Sequence, residues 1–308
     1  MYDLIGDIHG HADELVQLLD TLGYSESDGA YRHPERKVIF LGDFIDRGPK
    51  IRQVLDIVRP MIEHKTALAV MGNHELNALA FHTIHMVHLS GHLRPRDNKN
   101  IRQHAQTLLQ MNDQILAKAI EWFRTLPMWL DLDGLRVVHA CWDDQAIATI
   151  KSALETHGGI TDSFLHAACE HGNALFDAVE VILKGKEAKL PDGASFTDPD
   201  GNVRHQIRTK WFFSPKASDT YGDYALYSSK IDCGIELQAS LIENAVPYPA
   251  SAKPVFVGHY WLSGEQPEIL AENVACVDYS VAKDGFLCAY RWNGEQKLSN
   301  ENFVWAKR

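Results

Sequence analysis

Three times within its first eighty residues the chain runs an apolar strand into a polar turn and then into a helical pattern, and this repetition constrains the fold most. In "YDLIGDIHG" the run Tyr2 to Ile5 reads as a short strand. Behind it "HADELVQLLDTLG" opens with His11 and spaces Leu15, Leu18, Leu19 and Leu22 for one helix face. "RKVIFLGDFIDRGPK" repeats the pattern with the strand Val38 to Leu41, followed by the helix "IRQVLDIVRPMIEH", and "KTALAVMGNHELNALAF" does so a third time. Successive units of this kind imply a parallel sheet joined by right-handed crossovers. The turns then share the carboxyl edge of the sheet, where open α/β sheets bind ligands. Asp7, His9, Asp43, Asp46, Arg47, Asn73, His74 and Glu75 therefore converge although the sequence scatters them.

Further along, residues 80–126, including "IRQHAQTLLQMNDQILAKAIEWFRTLP", read as amphipathic helix and are expected to cap one side of that edge. "MWLDLDGLRVVHACWDD" reads as a hairpin around Asp133-Gly134 that delivers His139 at the end of its second strand. The stretch 145–250 combines a helix around "FLHAACEHGNALFDAVEVILKGKE" with a loop-rich segment punctuated by Gly, Pro and Asp, and reads as an insertion. "KPVFVGHYW" is a strand ending in Gly258-His259, and "NVACVDYS" with "GFLCAYRWNGEQKL" supplies late strands around Asn293-Gly294. The whole, residues 1–308, is expected to be one domain with insertions at about 80–126 and 145–250.

Composition excludes several classes of function. With 45% hydrophobic and 23% charged residues and no apolar stretch of bilayer length, neither disorder nor a membrane span is expected. The opening strand follows the first Met without a basic flank or cleavage site, and the five cysteines include no CxxC pair. Both point to free thiols in a cytoplasmic protein. A net charge of −11 argues against a bulk nucleic-acid partner, which would draw on clustered Lys and Arg. It leaves room for a small phosphorylated substrate, because bound cations reverse the local field.

Asp7, His9, Asp43, Asn73, His139 and His259 each stand at or just past the end of an apolar strand. Carboxylate, amide oxygen and imidazole form a mixed O/N donor set that suits Mn, Fe or Zn, and a carboxylate with two oxygens can bridge two ions. Two ions about 4 Å apart would turn a shared water into hydroxide and neutralise phosphoryl oxygens. Cys141 lies close enough to be weighed as a nucleophile, but it lacks a phosphate-cradling loop. His82, His85, His88 and His92 drift around a helix without a carboxylate and read as cap surface rather than as a third metal site. Trp122, Trp129 and Trp305 read as packing residues.

The motifs Asp7-x-His9-Gly10, Gly42-Asp43-x-x-Asp46-Arg47-Gly48, Gly72-Asn73-His74-Glu75, His139-Ala140 and Gly258-His259 resemble, in order and spacing, those of calcineurin-like metallophosphoesterases. The long forms "GDIHG", "GDFIDRGP" and "GNHE" are similar to the phosphoprotein-phosphatase branch, which includes bacterial serine/threonine phosphatases and symmetrical diadenosine tetraphosphate hydrolases. The resemblance implies an α/β fold of four layers, a central β-sandwich flanked by helices. It implies two divalent or trivalent metal ions: Asp7 and His9 at the first, Asp43 bridging, and Asn73, His139 and His259 at the second. It also implies His74 as general acid oriented by Asp46, Arg47 as phosphate clamp, and a second phosphate-binding Arg. For the last, "RHQIRTKWFFSP" offers Arg204 and Arg208, with Arg208 preferred because an aromatic run follows it. The expected activity is hydrolysis of phosphomonoesters, including phosphoserine and phosphothreonine in proteins. Diadenosine polyphosphates or other nucleotides are the alternative substrates, and a non-catalytic metal- or protein-binding scaffold is the rival from another class. Two departures bear on the substrate: "HACWD" after the fourth-motif His, and Tyr260 where a Thr is common.

Overall fold

Leu4, Ile5, Val38, Ile39 and Phe40 are wholly buried, as strands covered on both faces must be, and the strands Tyr2–Ile5, Lys37–Phe40 and Ala67–Ala69 are parallel as their patterns require. The structure, a computed structural model, describes residues 1–85, 91–197, 203–226 and 234–306. His88 and Cys233 lie outside the described residues. One sheet runs Asp278–Tyr279, Phe286–Trp292, Tyr2–Ile5, Lys37–Phe40, Ala67–Ala69, with Phe303–Ala306 also paired to Phe286–Trp292. A second runs Ile269–Ala271, Val274–Cys276, Val255–Val257, Arg136–Val138, Trp129–Asp131. Leu4 and Ile39 of the first sheet, with Leu41 and Val70 just past its strands, share one core with Val137, Phe256 and Ala275 of the second, which makes the pair a β-sandwich. At about 1.5–3 kcal/mol for each fully buried large apolar side chain, this core offsets the cost of holding carboxylates at its edge.

Helices cover the sandwich. Ala12–Thr21 packs on the Phe286–Trp292 and Phe303–Ala306 strands, and Ile51–Glu63 on Ala67–Ala69. Asp144–His157, Asp162–Ala168 and Ala174–Lys184 pack on one another, and Ala140 N–H, just past a strand of the second sheet, donates to Ile182 O at 3.0 Å. The mixed α/β architecture expected from the sequence is present.

Several boundaries differ from the sequence reading. The amphipathic region 80–126 contains two helices, Asn98–Gln110 and Asp113–Phe123, each opened by a side-chain cap, from Asp97 and from Asn112. The single helix read around 164–187 is two, because the chain turns at Gly172, whose φ is +86°. Residues 185–252 form a compact unit of their own, apart from the unit made by 1–184 with 253–308. In the smaller unit Glu187–Lys189 pairs antiparallel with Gln206–Arg208 over a cluster of Ala188, Ile207, Tyr221 and Leu237. Among the described residues no helix is long and apolar enough to cross a membrane, and Cys141, Cys169, Cys276 and Cys288 are free.

Candidate active site

Where the strands end, the backbone turns through conformations that non-glycine residues rarely adopt. His9, Asp43, Asp46, Arg47 and His259 all have φ between +45° and +69°. Such residues persist only when their surroundings over-determine them, and they cluster at functional sites. Here the turns brace one another: Ile8 N–H and His9 N–H donate to Asp43 O at 3.1 and 2.8 Å, and Gly10 N–H donates to Phe44 O at 3.0 Å. Two glycines let carboxylates of the site approach the backbone closely. A Cβ on Gly72 would sit 2.2 Å from Asp43 Oδ1, and one on Gly258 would sit 2.2 Å from Asp7 Oδ1.

Asp43 is the centre of the arrangement. Its Oδ1 accepts from His74 N–H at 2.9 Å, while Oδ2 lies 3.5 Å from His9 Nε2, 3.5 Å from His139 Nε2 and 4.0 Å from His74 Nε2. The imidazoles are oriented from behind. His9 Nδ1 is 2.8 Å from Ile45 O and His139 Nδ1 is 2.6 Å from Leu41 O. A carbonyl only accepts, so each Nδ1 carries a proton and donates it. His9 Nε2 is then a buried acceptor with no hydrogen-bond partner among the described residues, 3.5 Å from the Asp43 carboxylate. Beside it, Asn73 Oδ1 lies 3.1 Å from His139 Nε2 and 2.7 Å from His259 Nδ1.

Acceptors facing acceptors in a buried site call for a cation between them, and an unmatched buried polar atom costs about 1–3 kcal/mol. The chemistry of the donors agrees. His9, Asp43 and His74 could hold one metal ion, and Asp43, His139 and His259 another. Asp7 belongs to neither trio by distance. It lies beside them, its carboxylate accepting from His259 N–H at 3.1 and 3.2 Å.

The electrostatics point the same way. Burial, with Asp278 and Asp43 nearby, raises the Asp7 carboxyl well above the usual carboxylate range. Burial and the neighbouring His74 push His9 down to about 3, which keeps its imidazole neutral. Burial also disfavours a charge on His139, yet Asp43 and Asp7 outweigh it and hold that imidazole up at about 10. The two carboxylates thus hold a proton on the His139 imidazole.

A second group adjoins the first. His74 Nδ1 donates to Asp46 Oδ2 at 2.5 Å, leaving Nε2 3.4 Å from Gln103 Nε2. Burial raises the Asp46 carboxyl, but hydrogen bonds from His104 and His74 overcome it and keep Asp46 well below the carboxylate range. The guanidinium of Arg47 lies 3.8 Å over the ring of Trp261, which also has Lys283 Nζ 4.2 Å from its centroid.

The two departures from the family pattern now have structural counterparts. The buried Tyr260 donates its hydroxyl to Ala140 O at 2.9 Å, bracing the turn after His139, and Cys141 is wholly buried. Arg208 stands in the 185–252 unit with its Nε 4.0 Å from Glu187 Oε1, and Arg204 lies exposed in the same unit.

Sequence reasoning gave no role to four residues of this region. Asp278 is buried and accepts from Trp261 N–H at 2.7 Å and Ser280 N–H at 3.0 Å. It ends an apolar run as Asp7 does, so the same signal was available. His104 and Thr107 reach Asp46 from a helix whose sequence carries no local mark of it. Glu75 was read as part of a motif only. Its buried carboxylate accepts from Asp43 N–H at 2.8 Å, Phe44 N–H at 2.9 Å and Gly72 N–H at 3.0 Å, pinning two turns together. Burial and Asp43 push it up to about 7. Glu75→Leu strands three buried N–H groups and is expected to lower unfolding free energy by about 3 kcal/mol or more, read by denaturant titration. A loss under about 1 kcal/mol would show that the turns hold without it.

Over residues 2–234 the chain matches the profile of the calcineurin-like phosphoesterases. The bis(5'-nucleosyl)-tetraphosphatase PrpE (asymmetrical) of Halalkalibacterium halodurans is 47% identical over 74 residues, which is 24% of this chain and 30% of that protein. Its namesake from Oceanobacillus iheyensis is 30% identical over 168 residues, 53% of this chain and 66% of the relative. The chain thus spans less than two thirds of the length of these curated relatives. In fold it is similar to the cold-active protein-tyrosine phosphatase of a psychrophilic Shewanella species, with a TM-score of 0.52 and 17% identity, covering 94% of this chain and 74% of that one. With the profile matched across most of its length and its five motifs following strands of the two packed sheets, the chain belongs to the calcineurin-like phosphoesterase family.

Proposed function

We propose that the chain hydrolyses phosphate monoesters, with Asp7, His9 and Asp43 holding one metal ion and Asp43, Asn73, His139 and His259 holding a second. The observation that carries this reading is His9 Nε2, a buried acceptor 3.5 Å from the carboxylate of Asp43. Mn, Fe or Zn suits these donors. When bound, such ions supply Lewis acidity, which activates a water and offsets charge on the phosphoryl oxygens. The chain's own groups do the rest. Arg47, stacked on Trp261, grips two phosphoryl oxygens with its planar fork, and Arg208 is the candidate for a further phosphate contact. His74 delivers a proton from Nε2 to the departing oxygen while Asp46 holds Nδ1.

A proton donor braced in this way favours a substrate whose leaving group is a poor one, such as the alkoxide of phosphoserine in a protein. A second reading, cleavage of bis-nucleosyl polyphosphates, is favoured by the names of the curated relatives. The four free cysteines of the described residues suit a cytoplasmic setting for either.

The test is the purified chain loaded separately with Mn, Fe or Zn and offered aryl phosphates, phosphopeptides and dinucleoside tetraphosphates. Metal-dependent phosphate release from the monoesters is expected. Arg47→Ala should lose roughly 10- to 100-fold in kcat/KM with its metal content unchanged, because charge-assisted contacts go while the ligands stay. Turnover confined to the dinucleotides would establish the second reading. No turnover of anything with two metals bound would leave a scaffold and refute both.

A further inference from the structure

Asp46 uses one carboxylate oxygen for His74 and has the other fully engaged elsewhere. Oδ1 accepts from His104 Nδ1 at 2.8 Å and from Thr107 Oγ1 at 2.5 Å, and Thr107 Oγ1 in turn accepts from Asp46 N–H at 3.0 Å. His104 and Thr107 are buried and stand three apart on the Asn98–Gln110 helix, hence on one face. Behind them His104 Nε2 lies 3.2 Å from His82 Nε2. One of these two nitrogens donates to the other, so His104 is held at both ends of its ring. The backbone of Asp46 sits at φ +67°, a conformation that needs outside support, and Thr107 grips it at both the amide and the carboxylate.

Resting on the reading of His74 as proton donor, we propose that His104 and Thr107 are positioning residues for it. They fix the rotamer of Asp46 so that Oδ2 meets His74 Nδ1, and they thereby aim Nε2 at the leaving-group oxygen. A helix outside the motif-bearing turns thus sets the acid–base geometry of this chain.

The variants that test this are His104→Leu, which removes the donor, and His104→Asn, whose amide nitrogen stands near the place of Nδ1. Thr107→Val is the milder third variant and carries the test if His104→Leu does not fold. On zinc-loaded protein His104→Leu should lose roughly tenfold or more on phenyl phosphate and about twofold or less on dinitrophenyl phosphate. His104→Asn should recover most of that loss, and metal content should not change. In a His74→Asn background the His104→Leu change should cost about twofold or less on either substrate, because the group it positions is gone. A second readout needs no turnover, so it separates this proposal from the reading it rests on. The low-field NMR signal of the His74 Nδ1 proton, present in the wild type, should shift or vanish in His104→Leu and Thr107→Val and return in His104→Asn. Equal rate losses across leaving groups, or an unmoved Nδ1 proton in the folded variants, would overturn the proposal.

Discussion

Asp43→Asn is expected to lower kcat/KM by about 10³-fold or more while the chain stays folded, because losing one shared anion removes several kcal/mol of stabilisation from both metal positions at once. The carboxylate lies 3.5 Å from His9 Nε2 and from His139 Nε2, and it alone belongs to both candidate trios. Burial raises its carboxyl, but the charges of His139 and His74 dominate and hold it well below the carboxylate range, so it is an anion at any ordinary pH. Asn is nearly isosteric and keeps the backbone N–H that Glu75 accepts at 2.8 Å. The fold should therefore survive, with a thermal midpoint close to that of the wild type. Elemental analysis should find fewer than two metals per chain. Wild-type efficiency in Asp43→Asn would remove Asp43 from the chemistry.

His74→Asn should slow esters with poor leaving groups by roughly 10²- to 10⁴-fold and those with good ones far less. A general acid contributes in proportion to the proton demand of the departing oxygen: nitrophenolate leaves unaided, whereas the alkoxide of serine does not. Phosphoserine peptides should then lose most of their rate while nitrophenyl phosphate keeps a larger share. Geometry also permits a competing role, since His74 lies with His9 and Asp43 in a group able to hold an ion. Metal content separates the two. A proton donor leaves it at wild type, and a ligand does not. With metal retained, equal losses across the leaving-group series would refute the assignment.

Much of the site was legible because each motif pairs a strand end with a polar residue, a pattern written locally. Asp7, Asp43 and His259 follow apolar runs and glycines, and the same glycines that mark the turns allow carboxylates to approach the neighbouring backbone. His139 was placed by the hairpin before it, whose strands pair as Trp129 with Val138 and Asp131 with Arg136. What could not be read is tertiary. His104 and Thr107 look like any polar residues of an amphipathic helix, and only packing brings them onto Asp46. His82 reads as cap surface in the sequence, yet it is half-buried against His104, and burial with that neighbour lowers it to about 4. The compact unit 185–252 was hidden for a related reason. The helices before it look like part of the same insertion, but they pack with the sandwich unit instead.

The most direct measurement is a metal titration of the stripped chain with phosphate release followed in the same samples. Release should be absent in the stripped protein and reach its plateau at two ions per chain, with Asp43→Asn failing to reach it. Release by the stripped protein at the rate of the loaded one, or a plateau at a single ion, would contradict a two-metal phosphoesterase centred on Asp43.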